Sequence, residues 1–133
     1  MKKFLLFIVV VSIFTSCVST KAIYLNPDET QKYDPVPWQQ VNVYLTEKDV
    51  PGEFIKFAII TAEGKEGVTT EQQMINNLKK KAGSIGADAI ILESIKDPGS
   101  VERAADSLSG GLGLGARKGR AIAIKFKAKE DTQ

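Results

Sequence analysis

The sequence predicts an α+β fold: a single domain with the element order β-β-α-β-β, in which one amphipathic helix packs on one face of a four-stranded sheet. Two observations support this prediction. Four segments show the alternation or the apolar density of β-strands, and one segment between the second and third strand shows the apolar stripe of a helix. A helix stripe and a sheet face each need one surface buried, so packing one on the other is the economical architecture.

The first two strands are predicted on either side of a turn. Residues 41–46 alternate between apolar and polar positions, and residues 53–61 are rich in β-branched and aromatic side chains. Pro51-Gly52 supplies turn chemistry between them, so the two strands are expected to form a β-hairpin. The residues expected to share a face are Val41, Val43 and Leu45 on the first strand, and Ile55, Phe57 and Ile59 on the second.

The helix has the clearest local signal in the chain. Thr69 and Thr70 each precede a glutamine by three residues, so either pair can form a capping box at the helix start. Gly86 is expected to end the helix. The predicted apolar stripe consists of Met74, Ile75, Leu78, Ala82 and Ile85.

Two further strands complete the predicted sheet. Residues 88–95 are apolar on both sides, which indicates an interior position. Residues 120–129 alternate, with Ile122, Ile124 and Phe126 on one face and alanines and lysines on the other.

The amino terminus has the pattern of an export signal. Lys2 and Lys3 precede an apolar run from Phe4 to Phe14, and small residues follow it. The run is shorter than the roughly 20 residues that a membrane-spanning helix needs. Residues 1–16 are therefore predicted to be a signal peptide that is cleaved before Cys17.

Phe14-Thr15-Ser16-Cys17 resembles a bacterial lipobox. The resemblance implies that Cys17 becomes a diacylated first residue, which would anchor the chain to a membrane. The alternative is a plain secretory signal with an incidental cysteine. Val18 stands where an aspartate would resemble an inner-membrane retention signal, so the expected location is the outer membrane, facing the periplasm. In a cell without an outer membrane, it would be the plasma membrane.

The composition after cleavage bears on the charge, the number of domains and the disulfide content of the mature chain. Removal of Lys2 and Lys3 leaves sixteen basic and sixteen acidic residues, so charge gives no support to nucleic-acid binding. The 117 residues that remain suffice for one core and not for two. Since no cysteine follows Cys17, the domain has no internal disulfide and depends on its apolar core.

Residues 17–38 are expected to be a lipidated tether, rich in proline and small polar residues, that holds the domain away from the membrane. Tyr24, Tyr33 and Trp38 lie in this segment. Their side chains are expected to pack onto the edge of the domain, residues 39–133; a binding patch is the alternative.

Two segments of the domain are candidate interaction surfaces. The first is a Gly-rich loop at residues 97–118, where Leu112 and Leu114 would be awkward if exposed; the alternative is a flexible connection between strands. The second is the lysine stripe Lys125, Lys127 and Lys129, which could meet anionic lipid head groups or acidic envelope polymers. The alternative for the lysines is a solvated sheet face that discourages edge pairing.

The helix that runs into Gly86-Ala87-Asp88-Ala89, together with residues 120–125, is similar to small bacterial envelope lipoproteins with a YbjQ-like or RcsF-like α/β domain. The resemblance covers roughly residues 40–128 and implies envelope-stress sensing or an accessory role. Disulfides do not carry over. A metal site is not expected either, because the chain has no histidine and no second cysteine.

No cofactor is expected. Catalysis is not expected either, since no nucleophile is recognisably paired with a base. Asp88 and Glu93 are the carboxylates left open as an acid/base pair. The predicted function is a membrane-anchored, non-catalytic interaction module, either a sensor or an accessory subunit with an envelope protein as partner. The alternative is a structural lipoprotein that self-associates through exposed strands.

Overall fold

A computed structural model describes residues 18–25, 33–65, 69–108, 110 and 115–128, and shows a five-stranded mixed sheet. The strand order is β1-β3-β5-β4-β2, in which β2 runs parallel to β4 and the other neighbours are antiparallel. The predicted site residues Cys17, Leu112, Leu114 and Lys129 lie outside the described residues. The elements are β1 (Ser19–Tyr24), β2 (Asn42–Tyr44), β3 (Phe54–Lys65), α1 (Glu71–Ser84), β4 (Ala89–Lys96), α2 (Ser100–Leu108) and β5 (Ala116–Phe126).

The α+β class with a helix on one sheet face is confirmed, but the prediction of four strands is wrong. The additional strand is β1, which lies within the segment expected to be the tether. It pairs antiparallel with β3, from Ser19 opposite Glu63 to Tyr24 opposite Ala58. Only Val18 therefore separates Cys17 from the sheet in sequence.

The predicted hairpin of β2 with β3 is also wrong, although both segments are strands. β2 pairs with β4, whereas β3 pairs with β1 and β5. Between β2 and β3, the Thr46 backbone N–H and hydroxyl both donate to Asp49 Oδ2, at 3.1 and 2.9 Å, and stabilise a short 3-10 helix, Glu47–Asp49. This turn carries the chain away from β2, so that β3 pairs with the far side of β5.

A β-bulge in β3 changes the predicted face of its apolar residues. The register with β5 shifts between Lys56 and Ala58, which makes Phe57 the additional residue. Phe57 packs against the core beneath α1, whereas Ile59 lies opposite Ile122 on the other face of the sheet. The expectation that Ile55, Phe57 and Ile59 share one side is therefore wrong.

Helix α1 begins and ends where the sequence predicts. Of the two possible capping boxes, Thr70 with Gln73 forms: the Thr70 N–H donates to Gln73 Oε1 at 2.8 Å, and the Gln73 N–H donates to Thr70 Oγ1 at 3.2 Å. At the other end Gly86 has φ +82°, and its N–H donates to the Gly83 carbonyl at 3.1 Å while the Ala87 N–H donates to the Ala82 carbonyl at 3.0 Å. These two bonds form a Schellman motif, which needs a left-handed residue at Gly86.

The core has two parts, one on each face of the sheet. On one face, the α1 residues Met74, Leu78 and Ala82 pack on small and branched residues of the strands. On the opposite face a smaller cluster is covered by Val50 from the segment between β2 and β3. β4 lies between β5 and β2, as its two-sided apolar sequence predicts. The fully buried strand residues under α1 are Ala58, Ile60, Ala62, Ile90, Ala121 and Ala123.

The segment expected to be a Gly-rich loop contains a second helix, α2, between β4 and β5. Among the residues that the structure describes, no helix is long and apolar enough to cross a membrane.

Candidate functional site

Four strands have a terminus at or close to one end of the sheet: that terminus lies in the row described below for β1 and β4, and two residues beyond it for β3 and β5. The registers place Ser19 of β1, Glu63 of β3, Lys118 of β5 and Lys96 of β4 in one row across the sheet, here called the Ser19 row. All four residues are exposed. The predicted lipid-bearing residue, Cys17, stands two positions before Ser19 in the sequence. The Ser19 row is therefore the end of the domain nearest to the predicted anchor.

Ion pairs stabilise this end of the sheet. Arg117 donates from Nε to Asp97 Oδ1 at 2.5 Å and from Nη1 to the Thr69 carbonyl at 2.8 Å, so it joins the end of β4 to the start of α1. Arg120 donates from Nε to Glu93 Oε2 at 2.5 Å. These contacts fix the point from which the chain leaves the sheet toward α2.

Helix α2 leaves its apolar side exposed. Val101, Ala104, Ala105 and Leu108 recur at the helical spacing of three and four residues and form what is here called the α2 apolar face. Val101 is 80% exposed and Leu108 is 90% exposed, and both alanines are exposed as well. No described part of the chain covers this face.

The first of the predicted lysines, Lys125, is held in a cluster at the opposite end of the sheet. Its ammonium lies 3.0 Å from Asp88 Oδ1 and donates to the Gly86 carbonyl at 3.0 Å. It also lies 5.3 Å from the centre of the Tyr33 ring. The other carboxylate oxygen of Asp88 accepts from the Phe126 N–H at 3.0 Å. These residues form what is here called the Asp88–Lys125 clamp, which ties β5 to the end of α1.

Lys127 is less constrained. It lies 3.6 Å from Glu53, with 51% and 83% of the two side chains exposed. β5 begins at Ala116, about 30 Å along the strand from Lys125 and about 36 Å from Lys127. The described lysines, Lys125 and Lys127, and the start of β5 at Ala116 therefore lie at opposite ends of the sheet.

The aromatic residues before the domain meet it in different ways. Tyr33 packs edge-on against Phe57, with ring centres 5.0 Å apart. Trp38 lies beneath the ammonium groups of Lys79 and Lys80, each 5.5 Å from its ring. Both therefore pack on the domain edge, whereas Tyr24 of β1 is 52% exposed.

The two carboxylates considered as an acid/base pair are not brought together. Asp88 belongs to the clamp and Glu93 pairs with Arg120. They stand five residues apart along β4, or about 16 Å in an extended strand.

Sequence reasoning missed the α2 apolar face. Its signal was present, since the four apolar residues follow the spacing i, i+3, i+4, i+7 within residues 100–108. The adjacent glycines led to the prediction of a loop over residues 97–118 instead. β1 was missed for a similar reason, because prolines after it suggested an irregular tether throughout.

Comparisons with known proteins inform the fold alone. No family model matches this chain, and no curated protein matches it. A crystal structure of the Francisella virulence factor FvfA is similar, with a TM-score of 0.50 and 21% identity over 83% of this chain and 100% of that one. A similarity at this level of identity supports the described fold, and it extends beyond the helix and its neighbouring strands to most of the chain.

Proposed function

We propose that this protein is an envelope lipoprotein: a signal peptide is cleaved before Cys17, and lipid on Cys17 holds a non-catalytic interaction domain at the membrane. The observation that carries the proposal is the lipobox-like sequence at residues 14–17, placed two positions before the first strand of a folded domain. A lipid thioether also accounts for the lone cysteine of an exported chain. The proposed location is the outer membrane, facing the periplasm, or the plasma membrane in a cell that has only one.

The anchor is tested by Cys17→Ser. The unsubstituted chain is expected to incorporate labelled fatty acid and to sediment with membranes, and the variant is expected to do neither. Incorporation and sedimentation that persist in the variant would contradict the anchor. Val18→Ala serves as the matched control, because it alters the neighbouring position and leaves the thiol in place.

A role as a sensor or accessory subunit is proposed for the domain, in line with its resemblance to YbjQ-like and RcsF-like domains. Its partner would be an envelope protein, with no cofactor or metal required. Photo-crosslinking in intact cells tests this role, with the probe at Lys127 on the exposed end of the sheet and, as a control, at the exposed Gln39 beside α1. A specific protein captured at Lys127 and absent at Gln39 supports the role. Identical capture of abundant envelope proteins at both positions argues against it.

A structural role through self-association is the second proposal, and the position of β1 favours it. β1 is an edge strand, and Ile23 and Tyr24 are 62% and 52% exposed. A second copy could add to this edge. A lipid-free chain that starts at Val18 is expected to form dimers or larger species in analytical ultracentrifugation, and Ile23→Lys is expected to reduce them. A strictly monomeric chain at high concentration would rule this role out.

A further inference from the structure

Helix α2 combines a short length with an uncovered apolar face. It has nine residues, and isolated helices shorter than about 12–15 residues are marginal in water. The stability of such a helix comes mainly from packing of its apolar face, yet Val101 and Leu108 are 80% and 90% exposed. The face therefore needs a partner outside the described chain.

The sheet registers place this helix at the end of the domain nearest to the predicted anchor. Ser100 follows Lys96 of the Ser19 row by four residues, so α2 begins within about 14 Å of that row. Cys17 precedes Ser19 by two residues, which limits its distance from the row to about 7 Å. A lipid on Cys17 and the start of α2 would thus be attached to the same end of the sheet, the end that carries the Ser19 row.

The short distance from Cys17 to the sheet also fixes how far this end can stand from a membrane. Each head-group layer of a bilayer is roughly 5–7 Å thick, about the length of the two-residue connection. The Ser19 row therefore lies at the level of the head groups when Cys17 is acylated. Exposed lysines at this end, Lys21, Lys65 and Lys96, suit the phosphate groups found there.

We propose that the α2 apolar face docks on the lipid bilayer, with Val101 and Leu108 at the boundary between head groups and acyl chains, as a second membrane contact beside the lipid on Cys17. This inference rests on the proposed lipid anchor. A membrane is favoured over a second copy of the chain as the occupant, because the anchor brings the bilayer to the end of the domain from which α2 extends. An amphipathic helix that lies in the plane of the interface has this kind of apolar face.

Fluorescence of the full-length lipidated protein in vesicles of phosphatidylethanolamine and phosphatidylglycerol tests the contact. An environment-sensitive dye is attached at Ala105→Cys, in the middle of the α2 apolar face, and in a separate protein at Leu45→Cys. Leu45 is 71% exposed and follows β2, whose Tyr44 lies opposite Ile91 of β4, five positions before the Ser19 row. Because Cys17 is the chain's lone cysteine and its thiol is bound to lipid, the introduced thiol is the one that reacts.

Docking predicts that lipids brominated in their acyl chains quench the dye at Ala105→Cys and leave the dye at Leu45→Cys bright. In the Ala105→Cys protein, Val101→Gln with Leu108→Gln is expected to shift the docked-to-undocked ratio by at least about tenfold toward the undocked state, because two apolar side chains are lost at little cost in helix propensity. Leu45→Gln is the matched control and is expected to leave the ratio unchanged. Val101→Leu is expected to preserve docking.

Any of three outcomes would overturn the docking. In the first, the dye at Ala105→Cys stays accessible to a water-soluble quencher in vesicles. In the second, the dye is shielded from water but is not quenched by brominated lipid, which would indicate a protein partner or a second copy. The third is quenching that the double glutamine variant leaves intact. Failure of the anchor gives a different result, since an unlipidated Cys17 would take up a second dye and no fatty acid. Equal urea midpoints for the variants exclude a folding defect.

Discussion

Replacement of Lys125 by methionine, compared with the same replacement at Lys127, tests whether each lysine stabilises the fold or is free to bind a partner at the surface. Methionine keeps most of the aliphatic stem and removes the charged group, which lies over the Tyr33 ring. At Lys125 the substitution removes the ion pair to Asp88 and the hydrogen bond to the Gly86 carbonyl, each at 3.0 Å. At Lys127 it removes one contact of 3.6 Å between exposed groups.

The structure sets the size of the expected difference. A hydrogen bond from a charged group contributes about 1.5–3 kcal/mol, and an exposed ion pair about 0–1 kcal/mol. The side chains of Lys125 and Asp88 are 26% and 27% exposed, so screening by water reduces the ion-pair part. Lys125→Met is therefore expected to lower the free energy of unfolding by about 2 kcal/mol. Lys127→Met is expected to change it by less than about 0.5 kcal/mol.

Urea unfolding of the lipid-free chain that starts at Val18 measures both values. A cycle with Asp88→Ala isolates the pair, and a coupling of about 1 kcal/mol between Lys125 and Asp88 is expected. The Phe126 N–H also loses its acceptor in Asp88→Ala, so this single variant is expected to be as destabilised as Lys125→Met. Equal unfolding midpoints for Lys125→Met and Lys127→Met, or a coupling near zero, would refute the clamp.

Three further substitutions test the fold. Gly86→Ala is expected to lower the free energy of unfolding by about 3 kcal/mol, because a left-handed φ is combined with a Cβ that would overlap the Tyr33 Cβ. Gly52→Ala, at φ +80° with open space around it, should cost about 1 kcal/mol. Equal costs would contradict the close approach at Gly86. Thr70→Ala should cost about 1 kcal/mol in urea unfolding by removing the cap, and no loss would argue against the capping box. Leu78→Ala should cost about 2–5 kcal/mol in the same assay, since Leu78 is fully buried between α1 and the sheet; a loss below about 1 kcal/mol would show that the helix does not pack there.

The parts of the fold that could be predicted are those whose signals are local. The capping box at Thr70, the stripe through Met74 and Leu78, and the glycine at position 86 all lie within one helix and its ends. Each depends on residues no more than four positions apart, so their physical requirements are visible in the sequence. The interior position of β4 was similarly visible, because a strand apolar on both sides needs cover on both.

The pairing of strands could not be predicted in the same way. Alternation shows that residues 41–46 and 53–61 suit strands, but it does not identify their neighbours. β3 pairs with β5 along its whole length, from Phe54 opposite Phe126 to Lys65 opposite Ala116. That long-range pairing takes the place of the predicted local hairpin. β1 is also added by a long-range pairing, since Ser19 lies opposite Glu63 of β3, 44 residues further along the chain.

The same distinction between local and long-range signals applies to the candidate site. Alternation placed Lys125 on a strand face, but the partner that occupies it, Asp88, is 37 residues away in the sequence. The α2 apolar face, by contrast, follows from local spacing alone. Its exposure could not be inferred from the sequence, since the same stripe would equally suit a helix packed on the sheet.

The proposed membrane contact also bears on which lysines can meet lipid. With the Ser19 row at the head groups and β5 leading away from them, Lys127 lies about 30 Å from that row along the strand. This distance is several times the Debye length of about 8 Å at physiological ionic strength, so Lys127 is screened from anionic lipid in this arrangement. An acidic polymer or an acidic protein surface would then be the better match for Lys127, because Lys125 is held in the clamp. In this arrangement the lysines suited to lipid are Lys21, Lys65 and Lys96, and the proposed partner would bind at the far end of the sheet.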